Sequence, residues 1–167
     1  MDRQPVLVGD LVTVHPTVAD EFDALYAVAA DPAIWDQHPA HDRWRPEVFR
    51  AFFDEGMATG GMLTIRDAAD GAVIGATRYV PVGDDAVEIG WTFLARSHWR
   101  RGYNRELKRL MIDHALAQAD AVRFSAGVDN HRSRRAIEAL GATELPIATV
   151  ERGGAMVPRV LYELRRS

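Results

Sequence analysis

The sequence predicts an α/β (α+β) fold, a mixed and mostly antiparallel central sheet of about six or seven strands flanked by about four helices. Two observations carry that expectation. Alternating segments between residues 62 and 94 are separated by Ala69-Asp70-Gly71 and Gly83-Asp84-Asp85, the pattern of neighbouring antiparallel strands. From residue 87 onward, strand-type and helix-type segments follow one another, which implies a mixed sheet with helices on it.

Residues 6–14 alternate loosely and read as a first strand around Gly9 and Asp10. Residues 16–20 offer a helix start, with Thr17 as cap and Asp20 and Glu21 in the first turn, where carboxylates suit the helix dipole. Phe22, Leu25, Tyr26 and Ala29 continue that helix, and Asp31-Pro32 ends it. A loop rich in Trp, His and Pro covers 33–45. Pro46 suits the first position of a second helix, which runs to about Met57 with Phe49, Phe52 and Phe53 on one face and closes at Gly60-Gly61. Strands are expected over 62–67, 72–81 and 87–94. The clearest helix spans 104–118, with Asn104 as cap and Leu107, Leu110, Met111, His114 and Ala115 sharing a face. A strand at 122–127, a short helix at 133–140 ended by Gly141, and a last strand at 157–164 follow.

A length of 167 residues fits one domain over 1–167, and 47% hydrophobic content places it with soluble globular chains rather than disordered ones. No apolar run is long enough to span a bilayer, and residues 1–5 lack a signal-peptide layout, so the cytoplasm is the default compartment. The chain has no cysteine, which excludes disulfides, thiolate metal sites and a cysteine nucleophile. His98, His114 and His131 show no paired ligand spacing, so no metal is expected. A net charge of −4 argues against nucleic acid as the main partner. Residues 1–95 carry −10 and residues 96–167 carry +6. Such asymmetry suggests one surface for a polyanion and another that attracts a cation, although solvated helix faces would give the same numbers.

The stretch from Glu88 to Arg109 carries the chemistry. A strand runs into a basic loop, which turns directly into a helix. Free N–H groups at a helix start, aided by the dipole, make an anion site. Gly102 permits close backbone approach, while Arg100, Arg101 and Arg105 add positive charge suited to a pyrophosphate. After the next strand come Asn130, Ser133 and Gly141-Ala142.

Together these residues resemble the GNAT acetyltransferase superfamily, and within it the branch that includes ribosomal-protein N-terminal acetyltransferases. Members show Glu-Ile-Gly-aromatic on a strand, here Glu88-Ile89-Gly90-Trp91. They then show Trp-Gly-Arg/Gln-Gly-Tyr-Ala before a long helix, here Trp99-Arg100-Arg101-Gly102-Tyr103-Asn104. Asn-x-x-Ser and Gly-Ala follow, here at Asn130, Ser133, Gly141 and Ala142. Asp31-Pro32 matches the end of the first helix in many relatives. Arg100 departs from the family glycine, Asn104 from glycine or alanine, and the Gly90-to-Trp99 spacing is about one residue longer than usual.

The resemblance implies a cofactor and a set of roles. Acetyl-CoA would be the acyl donor, its pantetheine arm lying along the main chain of Trp91, Thr92, Phe93 and Leu94. Its diphosphate would rest on Arg100, Arg101, Gly102, Tyr103, Asn104 and Arg105. Asn130 would contact the pantetheine or order the following loop, and Ser133 would lie near the sulfur and could protonate the leaving thiolate. Glu88 is the leading general base, directly or through a water, since an ammonium must lose its proton before attack. Alternation places Glu88, Gly90 and Thr92 on one strand face, opposite Val87, Ile89 and Trp91. Each role has a plain structural counterpart: a buried strand, a capped helix, a turn asparagine or a core tryptophan. Trp35, His38, His41 and Trp44 are the expected acceptor contacts.

The resulting expectation is direct transfer of an acetyl group to a primary amine, on a protein N-terminus or a small molecule, by a monomer or homodimer. A catalytically inactive module of the same fold, binding CoA or a protein partner, is the alternative. Nucleic-acid binding through the arginines at 100–109 and 132–135 is a poorer third, since no aromatic platform is interleaved among them.

Overall fold

The computed structural model describes residues 1–152 and 154–167. Among the described residues, eight strands form one sheet in the order β1-β2-β3-β4-β5-β6-β8-β7. They are β1 (Leu7–Val8), β2 (Val12–Pro16), β3 (Met62–Asp67), β4 (Val73–Val82), β5 (Ala86–Leu94), β6 (Ala121–Gly127), β7 (Thr143–Arg152) and β8 (Ala155–Arg165). The helices are α1 (Phe22–Ala29), α2 (Pro46–Thr59), α3 (Tyr103–Leu116) and α4 (His131–Glu138). Neighbouring strands are antiparallel except β5 and β6, whose parallel pairing needs the crossover that α3 provides.

The fold class is the one the sequence predicts, with more strands than expected. The segment expected as one strand over 6–14 is two short strands, because Gly9 N–H bonds back to the Val12 carbonyl and turns the chain. Strand β7 was not expected. It is an edge strand paired only with β8, mostly exposed and interrupted by Pro146, so no buried alternation marks it in the sequence.

Helix starts also differ from expectation. Thr17 caps nothing; its hydroxyl shares a 3.0 Å hydrogen bond with that of Thr64, and a 3-10 turn at Ala19–Glu21 leads into α1. Helix α3 begins one residue before Asn104, on Gly102 at φ 88°, so Asn104 lies inside the first turn. Only a residue that tolerates the left-handed region can start the helix this abruptly. Gly60, at φ 68°, closes α2 as the sequence suggests.

Two apolar layers sandwich the sheet. On one face Leu107, Met111 and Ala115 of α3 and Ile137 of α4 pack against Val87, Ile89, Val122, Phe124, Val160 and Tyr162. On the other, Leu25 and Ala29 of α1 and Phe49, Phe52 and Phe53 of α2 pack with Trp35, Met62, Ala76 and Phe93. This second layer lies over the β3–β5 side. Pro39 of the 33–45 loop reaches Gly127 of β6, where a side chain would collide with it at 2.6 Å.

Glu106, in the first turn of α3, fastens the start of the chain to this helix. Its carboxylate accepts the N–H groups of Asp10, Leu11 and Val12 at 3.0, 2.7 and 2.9 Å. Burial acts to raise the Glu106 carboxyl, but those three donors outweigh it and hold it below the ordinary carboxylate range. Glu106→Ala is expected to cost about 3 kcal/mol at pH 7, because the turn loses a charged acceptor shared by three donors. A lowered folded pKa stabilises above the unfolded value of about 4.3 and ceases to do so as pH falls through the folded one. The wild-type advantage in thermal melts should therefore shrink toward pH 3; an equal advantage at both pH values would refute the assignment.

Candidate functional site

Strands β5 and β6 pair only at Ala86–Ala121, Val87–Val122 and Glu88–Arg123, although β5 runs to Leu94 and β6 to Gly127. Beyond Glu88 the two strands part, and the edge of β5 facing β6 has no ladder partner among the described residues. A bulge sits in this stretch. Ala76 pairs with Phe93 and Arg78 with Gly90, so Thr77 faces two residues, and Trp91 takes φ 52°. The bulge corrects the expected alternation beyond Gly90. Trp91 joins the α2 face, between the guanidiniums of Arg78 and Arg152, while Thr92 turns to the α3 face. There the Thr92 hydroxyl meets that of Thr77 at 2.8 Å and receives the Lys108 ammonium at 2.6 Å.

The open edge leads into the turn before α3. The Trp99 indole donates to the Leu94 carbonyl at 2.9 Å, and Arg101 donates to Ser97, closing the loop on itself. Arg100, at φ 58°, takes the left-handed conformation easiest for glycine. The first intrahelical bond is from Glu106 N–H to Gly102, so the N–H groups of Tyr103, Asn104 and Arg105 are free of helical partners. A depression of about 410 Å³ lies there, lined by Arg100, Gly102, Asn104 and Arg105. Tyr103 contributes only its backbone; its ring is buried and its hydroxyl donates to Asp67 at 3.2 Å. Asp67 also meets His98 at 2.8 Å. The Ala69 N–H and then His98 hold the Asp67 carboxyl below the usual range, so β3 anchors the turn from beneath.

Across the opening, Asn130 is buried, and its side chain accepts the Ser133 N–H at 3.2 Å as cap of α4. The Ser133 hydroxyl has no hydrogen bond among the described residues. Arg132 lies 4.1 Å over the Trp99 ring and donates to the Ile34 carbonyl, tying α4 to both the turn and the 33–45 loop.

Glu88 faces away from α3. Its Oε1 accepts from Ser125 and Arg152, both at 2.8 Å, and its Oε2 has no hydrogen bond among the described residues. Of the expected acceptor contacts, Trp35 is 2% exposed and donates to the Ala29 carbonyl, so it belongs to the core. The Trp44 carbonyl accepts from Tyr26, and His41 Nδ1 meets the Trp35 carbonyl. His38 Nδ1 accepts the Ala40 N–H, and burial, helped by Arg43, Arg159, His41 and Arg132, pushes its pKa down to about 3. It is neutral near pH 7 and a poor proton acceptor.

Sequence reasoning missed Lys108, Ser125 and the arginines at 43, 78, 152 and 159. Arg78 had a signal, a lone charge inside the apolar run of β4. The fold gathers these arginines from both halves of the chain onto the face of Glu88. Among the described residues no group of three or more His, Asp or Glu is placed to hold a metal ion, and no helix is long and apolar enough to cross a membrane.

Comparisons with known proteins fit this architecture. No curated protein matches the chain. A GCN5-related N-acetyltransferase from Brucella melitensis superposes with TM-score 0.83 at 18% identity, over 98% of this chain and 79% of that one. An acetyltransferase of the GNAT family from Bacillus anthracis gives 0.80 at 12%, over 97% and 99%. Spermidine N-acetyltransferase from Vibrio cholerae, solved with CoA and spermine, gives 0.71 at 12%, over 95% and 97%. The family described as acetyltransferase (GNAT) domain matches residues 11–143, which take in the parted strands, the basic turn and the start of α4. The chain is therefore a member of the GNAT acetyltransferase family.

Proposed function

We propose that the protein transfers the acetyl group of acetyl-CoA directly to a primary amine. The observation that carries this reading is the unpaired edge of β5, which ends in a cationic turn with three free N–H groups before α3. An extended pantetheine needs such an edge, and a pyrophosphate needs such a turn. Arg100 and Arg105, exposed and without side-chain partners among the described residues, supply charge to the phosphates; Arg101 is spent on the Ser97 carbonyl. Backbone N–H groups of the 91–94 stretch are the candidates to polarise the thioester carbonyl.

In this reading the amine first loses a proton, for which Glu88 Oε2 is the acceptor. The C–N bond forms as the lone pair attacks the thioester, and the C–S bond breaks as the tetrahedral centre collapses. The departing thiolate takes a proton from the Ser133 hydroxyl, which the α4 cap leaves free, and the second amine proton, shed as the amide forms, restores that hydroxyl. Without cysteine, and with the amine itself as nucleophile, no covalent enzyme intermediate is needed. The narrower likeness to ribosomal-protein N-terminal acetyltransferases rests on the 88–142 motifs and points to an α-amine as one acceptor. An α-amine, with pKa about 7.7–8.0, also asks less of the base than a lysine at about 10.4. Arg100 and Asn104, which motivate the non-catalytic reading, leave the turn open and basic, so that reading is not favoured.

Calorimetric titration with acetyl-CoA, followed by a thiol-release screen over amines, tests the proposal. Micromolar binding and amine-dependent thiol release are expected. Absence of binding sinks it, and tight binding without turnover of any amine reinstates the inactive module.

A further inference from the structure

Four guanidiniums gather on the face of the sheet that carries Glu88, three of them stacked on aromatic rings. Arg43 and Arg78 both lie over the Phe52 ring, at 4.4 and 4.8 Å. Arg78 and Arg152 both lie over Trp91, at 5.0 and 4.7 Å. Arg152 and Arg159 both donate to the Ser125 hydroxyl, at 3.1 and 3.3 Å. The series runs from the 33–45 loop across β4 and β5 to the β7–β8 hairpin and meets Glu88 through Arg152, at 2.8 Å.

Its charge is not balanced. Glu55 pairs with Arg78 and Glu88 with Arg152, whereas Arg43 and Arg159 have no carboxylate within salt-bridge distance among the described residues. The Arg43 side chain is half-buried, makes no hydrogen bond among the described residues and lies over the Phe52 and Trp35 rings. Arg78 is 1% exposed and Arg159 9%, and the Nε of each is buried without a partner. Burial, then the nearby Arg78, pushes the Arg43 pKa down to about 10; burial, then Arg152, lowers that of Arg159. A protein gathers like charges in a poorly hydrated place at a cost, which an anion bound there removes.

We infer that the acceptor is a primary amine that itself carries a carboxylate, held by Arg43 and Arg159 while its amine reaches Glu88. This rests on the proposed acetyl transfer and names its substrate class. The chemistry is shared by free acidic amino acids and by peptides that begin with Asp or Glu. A polyamine would meet the same arginines as repulsion.

The test compares kcat/KM for glutamate, a C-terminally amidated Glu-Ala peptide, the matching Gln-Ala peptide amide and spermidine. Acetyl-CoA binding is followed separately by calorimetry. At least one carboxylate-bearing amine should exceed the Gln-Ala amide by about tenfold or more, and spermidine should be the poorest. Whether glutamate or the Glu-Ala peptide wins distinguishes the two sources. Arg43→Gln should raise KM for the acidic amine about tenfold while acetyl-CoA affinity stays unchanged, with Arg43→Lys between, since lysine keeps charge but loses the planar fork. Equal turnover of acidic and neutral amines, or preference for spermidine, overturns the inference and leaves acetyl transfer standing. If acetyl-CoA does not bind, acetyl transfer fails by itself, and calorimetry with glutamate decides: binding that Arg43→Gln weakens supports the anion site, and no binding overturns it.

Discussion

Gly102→Glu is expected to abolish acetyl-CoA binding, raising Kd by at least about 100-fold, the equivalent of roughly 3 kcal/mol. Two effects combine. At φ 88° any side chain is strained, by about 1 kcal/mol for an L-residue. The larger effect is electrostatic, since the new carboxylate would enter the depression between Arg100, Asn104 and Arg105 and take the free N–H groups for itself. Packing is not the obstacle, because an added Cβ would meet Leu11 at 3.4 Å. Gly102→Ala separates the two effects: it carries the strain without the charge and should bind within a few-fold of wild type. Calorimetry reads both variants, with circular-dichroism melts confirming that each is folded. If Gly102→Glu binds as wild type does, the diphosphate is not held at this turn.

The second large effect concerns stability. Lys108 is 7% exposed, its ammonium hydrogen-bonds only the Thr92 hydroxyl among the described residues, and burial pushes its pKa down to about 7. In the unfolded chain lysine titrates near 10.4, so between about pH 7 and 10.4 the unfolded state binds more protons and folding strengthens as pH rises. Below about 7 both states are protonated and the full penalty remains, on the order of 4 kcal/mol. Lys108→Met keeps the length and removes the charge, leaving Thr92 bonded to Thr77. The variant should be more stable than wild type at pH 6 by a few kcal/mol, with the gap closing toward pH 9. Urea unfolding at the two pH values measures it. A gap that does not change with pH would show that Lys108 is not a desolvated cation.

What the sequence made legible follows from the range of the forces involved. Strand β3 is found at the residues the alternation marks, because a buried strand writes its pairing into its own side chains. The basic turn before α3 was legible for a similar reason: glycine, arginines and helix start are neighbours in sequence. The bulge was not, since Trp91 carries a positive φ that nothing in a Trp codon position announces, and it reversed the expected faces of Trp91 and Thr92. The arginine series was hidden for the opposite reason. Arg43, Arg78, Arg152 and Arg159 come from a loop and three strands, and only the sheet order makes them neighbours. Strand β7 owes its existence to β8, and its own residues are mostly those of an exposed edge.

The clasp between Glu106 and the N–H groups of residues 10–12 has a bearing on how this protein tolerates trimming. Glu106 belongs to the same helical turn whose free N–H groups, at Tyr103, Asn104 and Arg105, are the proposed phosphate contacts, yet its charge is drawn away toward the β1–β2 turn. A shortened chain that began after Val12 would release that carboxylate beside the free amides, where it would compete with the cofactor as a tethered anion. Deleting residues remote from the reaction would thus act like an inhibitor built into the polypeptide.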